Sequence, residues 1–136
     1  MNNITVTGNL TRDPDLRYAG ERPVANFSVA SNRSWKNKTT GDWEEETTYF
    51  ACHCWGPLAE NVAASLTKGA AVVLEGRILQ RSYTTKEGDE RTVIELLATS
   101  VGASLKNASV QVTRNERTTP GQAAPAADTF GDDQPF

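Results

Sequence analysis

The chain has 136 residues, 38% of them apolar, which suffices for one hydrophobic core but not comfortably for two domains. Its net charge of -3 seems to argue against a polyanionic partner, yet the local field rather than the total draws in such a partner. Residues 1–112 carry 12 bases against 13 acids, whereas 120–136 hold Asp128, Asp132 and Asp133 with no base, so the acidity is concentrated at the end.

In the first stretch Ile4, Val6, Gly8 and Leu10 alternate with Asn3, Thr5, Thr7 and Asn9, which predicts a strand burying its even positions. This start lacks the basic residues and unbroken apolar run of a signal peptide, and no window is long enough to span a membrane, so a cytoplasmic setting without a membrane partner is expected. Asp13-Pro14-Asp15 breaks the strand. A second strand, about Pro23 to Trp35, puts Ala25, Phe27 and Val29 on one face, and a polar loop around Thr40-Gly41-Asp42 turns it into a long hairpin with a third strand, about Glu46 to Trp55. Then comes Pro57 through Gly69, with Pro57 suited to a first helical turn, Gly69 to the position after the last, and Leu58, Val62 and Leu66 recurring every fourth residue. One short amphipathic helix is the consequence.

A fourth strand from Ala71 to Tyr83, a turn at Glu87-Gly88-Asp89 and a fifth strand from Arg91 to Val101 complete the pattern. Five strands with one helix between the third and fourth is the order of an all-β OB-fold, a five-stranded Greek-key barrel. Val110-Gln111-Val112 is a candidate sixth strand. The apolar anchors stop there, so one domain at 1–112 and a disordered tail at 113–136 are expected, the latter because its Pro, Ala, Gln and Thr cannot bury a core.

Strand parity separates core from surface, since successive side chains point to opposite faces. In the third strand Phe50, Cys52 and Cys54 share one face, and Tyr49, Ala51, His53 and Trp55 the other. In the fourth, Val72, Leu74, Gly76 and Ile78 oppose Val73, Glu75, Arg77, Leu79, Arg81 and Tyr83. The small apolar sets should be core, and the others a surface of flat rings and guanidinium groups. Such a surface suits sequence-tolerant binding of a single strand, because every base has a π-face, worth about 1–3 kcal/mol on an aromatic ring, and every nucleotide a phosphate. Trp35, Tyr49, Trp55 and Tyr83 are the stacking candidates, with Arg33, Lys36, Arg77 and Arg81 as phosphate partners; Trp43, in the long loop, is a weaker one. The competing reading is that these rings are ordinary core aromatics, against which stands the shared parity of Tyr49 and Trp55 opposite the apolar set.

Cys52-His53-Cys54 invites a metal or a catalytic reading, and the same parity opposes both. The sulfurs point away from the only imidazole, and no other cysteine or histidine exists to complete a four-ligand site or orient a base. Neighbouring cysteines on one strand face are also poor disulfide partners, which fits a reducing compartment. There is no Gly-rich phosphate loop. No catalytic residue, metal or cofactor is assigned. The tip, Asp132-Asp133-Gln134-Pro135-Phe136, joins two acids to a terminal ring and carboxylate, a pattern suited to a small apolar pocket with a basic rim.

Taken together, Val6-Thr7-Gly8-Asn9-Leu10 with Asp13-Pro14, Ala25-Asn26-Phe27, Trp55-Gly56 with Leu58-Ala59-Glu60-Asn61, Gly69 to Glu75-Gly76-Arg77, and the Pro135-Phe136 end resemble the bacterial single-stranded DNA-binding protein family in family order. The resemblance implies a homotetramer of OB-folds wrapped by single-stranded DNA, with stacking aromatics at Trp35, Tyr49, Trp55 and Tyr83 and with replication and repair proteins recruited through Asp132, Asp133, Pro135 and Phe136. The family tip usually carries a third acid and an isoleucine, where Gly131 and Gln134 stand nearby here. The stretch from Gly102 to Val112 is similar to the extra C-terminal strand of actinobacterial members, which clamps neighbouring subunits. An OB-fold recruitment module and an RNA or oligosaccharide binder remain as alternatives.

Overall fold

The computed structural model describes residues 1–116; the acidic tip and the tail expected beyond that point lie outside the described residues. The chain forms β1 (Ile4–Leu10), β2 (Asp15–Ala19), β3 (Arg22–Lys36), β4 (Trp43–Trp55), α1 (Pro57–Ser65), β5 (Ala71–Thr84) and β6 (Glu90–Ala103). The sheet runs β1-β5-β6-β4-β3-β2, and β1 also pairs with β3 at Asn9↔Ala30 and Leu10↔Val29, which closes β1, β5, β6, β4 and β3 into a barrel. All ladders are antiparallel except β4–β6, which is parallel at Cys52↔Leu96. This is the OB-fold barrel expected, with one helix between β4 and β5.

The extra strand lies elsewhere than the sequence pattern suggested. It is β2, a hairpin partner of β3 through Ala19↔Arg22, with Gly20 at φ 69 in the two-residue loop, the positive φ that hairpin turns of this length require. It has only five residues, mostly exposed, and the alternation of Leu16 and Tyr18 with Asp15 and Arg17 is too short, directly after the breaker Asp13-Pro14, to announce it. Val110-Gln111-Val112, by contrast, makes no ladder. After Ala103 the last link to a strand is the Ser104 N–H bond to the Ala71 carbonyl; the chain then passes α1, where Asn115 donates to Asn61 Oδ1 at 3.0 Å.

The core holds the set that parity assigned inward, Val6, Leu10, Ala25, Phe27, Val29, Cys52, Cys54, Val72 and Leu74, joined by Leu96 and Ala98 of β6 and plugged at one end by Ala59 and Val62 of α1 and by Leu66. Phe50, Leu58 and Ile78 are only partly buried against it. The helix is shorter than expected. It ends at Ser65, and Gly69 at φ 90 serves a separate turn closed by the Ala70 N–H on the Thr67 carbonyl. Two other glycines permit closure: a Cβ on Gly8 would strike the Ala30 carbonyl where β1 meets β3, and one on Gly76 the Leu97 carbonyl. Beside Gly76 the β5–β6 register skips Thr99, whose hydroxyl donates to the Glu75 carbonyl, so the buried positions of β6 change from even to odd beyond it.

Cys52 and Cys54 are free, buried thiols. Burial pushes Cys52 up to about 12, with Cys54 beside it adding to the shift, and pushes Cys54 up to about 11. Among the described residues no helix is long and apolar enough to cross a membrane.

Candidate nucleic-acid interface

Each outward residue of the wall β3–β4–β6–β5 is placed by the same alternation that buries its neighbours. Register pairs Val24 with Trp55, Asn26 with His53, Ser28 with Ala51 and Ala30 with Tyr49, so these residues share the outer face of β3 and β4. Across the parallel junction the face continues into Glu95 and Leu97 of β6, and from there into Leu79 and Arg77 of β5, their register partners. Arg81 and Tyr83 follow on the same face, opposite Val93 and Arg91.

Three of the predicted rings lie on this face. Tyr49 is 69% exposed, whereas Trp55 is half-buried, with the guanidinium of Arg22 4.6 Å over its ring and the ring of His53 edge-on at 6.4 Å. Tyr83 is exposed on the part of the β5–β6 hairpin that extends beyond the buried positions. Arg77 and Arg81 are exposed on the same strand, and Arg81 donates from Nε (2.9 Å) and Nη2 (2.8 Å) to Glu95 Oε1.

Trp35 and Arg33 are placed differently. They share the parity of Phe27 and Val29 and therefore the face opposite Tyr49 and Trp55, but from Ser31 to Thr48 the β3–β4 ribbon buries no residue on either side. There Arg33 lies 4.9 Å over the half-buried ring of Trp35. The weaker candidate ring, Trp43, is on the Tyr49–Trp55 side, opposite Lys36 and 72% exposed. Lys36 thus stands with Trp43 rather than with Trp35.

Sequence reasoning missed three arginines because it missed β2. Arg12, just after β1, and Arg17 of β2 border an open groove of about 400 Å³ with Asp15, Asn26, Ser28, Ala51, His53 and Glu95. Arg22 opens β3 beside Trp55. The acids in that groove are engaged: Asp15 with Arg17 at 2.9 Å, and Glu95 with Arg81 and, at 3.6 Å, with His53 Nδ1. The barrel face is therefore rich in arginine although the chain as a whole is acidic. On the other face of β2, Tyr18 donates to Glu60 of α1 at 3.1 Å, a bond that pushes the phenol pKa up.

The Cys52 and Cys54 sulfurs point into the core while His53 faces the groove, and no group of three or more His, Cys, Asp or Glu that could hold a metal occurs among the described residues. A second groove, about 680 Å³, lies between α1, the end of β6 and residues 108–115, lined by Leu58, Val62, Val101 and Val110. It presents no cation or stacking ring. What the outer barrel face can do is bind: it offers π-faces and guanidinium groups in alternation and no group placed for covalent chemistry.

Comparison with known proteins agrees with this geometry. Residues 1–104 match the model described as the Single-strand binding protein family. The "Single-stranded DNA-binding protein" of Mycobacterium tuberculosis is 40% identical, the match covering 97% of this chain and 95% of the relative, and that of Paenarthrobacter nicotinovorans is 47% identical over 84% of this chain and 68% of the relative. Among solved structures, the "Plasmodium falciparum SSB complex with ssDNA" superposes with a TM-score of 0.69 over 76% of this chain and 95% of that one; at 21% identity this likeness concerns the fold alone.

Proposed function

The chain belongs to the single-strand binding protein family, and from that premise we propose that it binds single-stranded DNA without sequence specificity, as a homotetramer, covering the strand during replication, recombination and repair. It is a binding protein and not an enzyme. The observation that carries the reading is the outer wall of the barrel, where Tyr49, Trp55 and Tyr83 are interleaved with Arg22, Arg77 and Arg81. Bases stack on the rings irrespective of sequence, and guanidinium groups take the phosphates. Trp35 with Arg33, and Lys36 with Trp43, extend this chemistry along both faces of the β3–β4 ribbon, so a bound strand can follow either side of it. The binding domain is assigned to 1–112, and 113–136 to a tail whose tip, Asp132, Asp133, Pro135 and Phe136, docks replication and repair proteins.

Counterion release makes the electrostatic part measurable. For single strands log affinity falls with log salt by about 0.7 per phosphate neutralised. Arg77→Ala and Arg81→Ala should each flatten the slope by roughly that amount. An unchanged slope in both would remove them from the path of the strand. The assembly and tail are tested together by sedimentation and pull-down on the full chain and on a form lacking 120–136. A tetramer in both and loss of bound replication enzymes only from the shortened form are expected. Identical sets of bound enzymes would leave the tail as a solubilising extension.

A further inference from the structure

A polyanion should avoid carboxylates, yet the proposed path has one in its middle. Glu95 of β6 is 24% exposed; both Arg81 donors fall on its Oε1, and Oε2 lies 3.6 Å from His53 Nδ1. Arg81 is the open side of this arrangement, with its side chain 67% exposed, while His53 is 14% exposed. The other charged groups around the imidazole are Arg12, Asp15 and Arg17 from the β1–β2 region, of which Asp15 and Arg17 pair with each other, and Arg22, which covers Trp55. Asn26 and Ser28 of β3 and Ala51 and Trp55 of β4 are uncharged.

We infer that Glu95 holds Arg81 in the free protein and hands it to a DNA phosphate on binding, turning then to His53, which takes up one proton from the buffer. The inference rests on the proposed single-strand binding. An ion pair with so exposed a guanidinium is weak, and a phosphate is a comparable bidentate acceptor, so the exchange is easy. The carboxylate left behind is three-quarters covered and costly to leave without a cation. Of the two groups that touch this carboxylate, Arg81 and His53, the imidazole is the one left to become a cation. Departure of the guanidinium and arrival of the phosphate both shift the field at His53 toward the protonated form. Charge is balanced throughout: the carboxylate, guanidinium and phosphate stay ionised, and only the imidazole changes state.

The test is calorimetric titration of the full chain with oligo-dT, repeated at several pH values around neutrality in buffers of unlike ionisation enthalpy. The unsubstituted protein should show a buffer-dependent enthalpy corresponding to uptake of close to one proton per subunit. His53→Asn should bind with no buffer dependence. Arg81→Ala, in which Glu95 already meets His53 before DNA arrives, should take up less. Glu95→Gln should lose the uptake and, relieved of the competing acid, bind up to about fivefold more tightly at low salt. Buffer-independent binding by the unsubstituted protein, or uptake unchanged in His53→Asn, would overturn the inference while leaving single-strand binding intact. Failure of the unsubstituted protein to bind oligo-dT would instead refute the interface.

Discussion

Trp55→Ala should weaken binding to single-stranded DNA by about 1–3 kcal/mol, roughly 5- to 150-fold in affinity, without unfolding the barrel. The ring stands on the outer face of β4 with His53 and Arg22 against it, it is absent from the buried core set, and its backbone ladder with Val24 is indifferent to the side chain. Equilibrium titration gives the affinity and thermal unfolding the stability. A variant that melts far below the parent while its folded fraction binds normally would mean that Trp55 belongs to the core and that the two faces are assigned backwards.

The opposite outcome is expected three residues from its cross-strand partner, on the other face. Phe27 is among the largest fully buried side chains, between Val29 and Ala25 on β3 and directly across from Cys52. Phe27→Ala removes its transfer free energy and leaves a cavity, together about 3–5 kcal/mol, a large part of the 5–15 kcal/mol that holds a typical domain. At about 4–8 °C per kcal/mol the melting temperature should drop by more than ~12 °C. Affinity of the protein that remains folded should stay near the parent's, because the outer face is untouched. A stable variant with impaired binding would contradict the division of faces from the other side.

That division was legible in the sequence because the strands around Phe27, Cys52 and Leu74 alternate apolar and polar with period two, and the period alone fixes the face. Three features were not legible, each for a physical reason. Strand β2 is held by its hairpin with β3 and is only five residues long, so Arg12 and Arg17 could not be placed beside His53, nor Arg22 over Trp55. The skipped residue Thr99 inverts the alternation of β6 halfway along, and a bulge leaves no composition signal beyond a hydroxyl that happens to find a carbonyl. Trp35 shows the limit of parity itself. Its alternation matches the core face, but the ribbon has left the barrel by then, and the sequence does not reveal where a strand outruns its core.

Glu95 illustrates the same limit for chemistry. In the sequence it is one acid among 17; only the parallel junction of β4 with β6 brings it to His53, and only the β5–β6 ladder brings Arg81 to it. The resemblance of separate motifs gave the family, while the contacts between strands 40 or more residues apart in sequence, such as His53 with Glu95, required the fold.

The most direct test of a stacking interface is titration of the full chain with oligo-dT while tryptophan emission is followed, with duplex DNA and single-stranded RNA as competitors. Stacking of bases on Trp35 and Trp55 should quench the emission in a saturable way, duplex DNA should fail to compete because its bases are already stacked, and RNA should compete more weakly than DNA. Unquenched emission at saturating oligo-dT, or duplex DNA competing as well as the single strand, would contradict binding through the aromatic face.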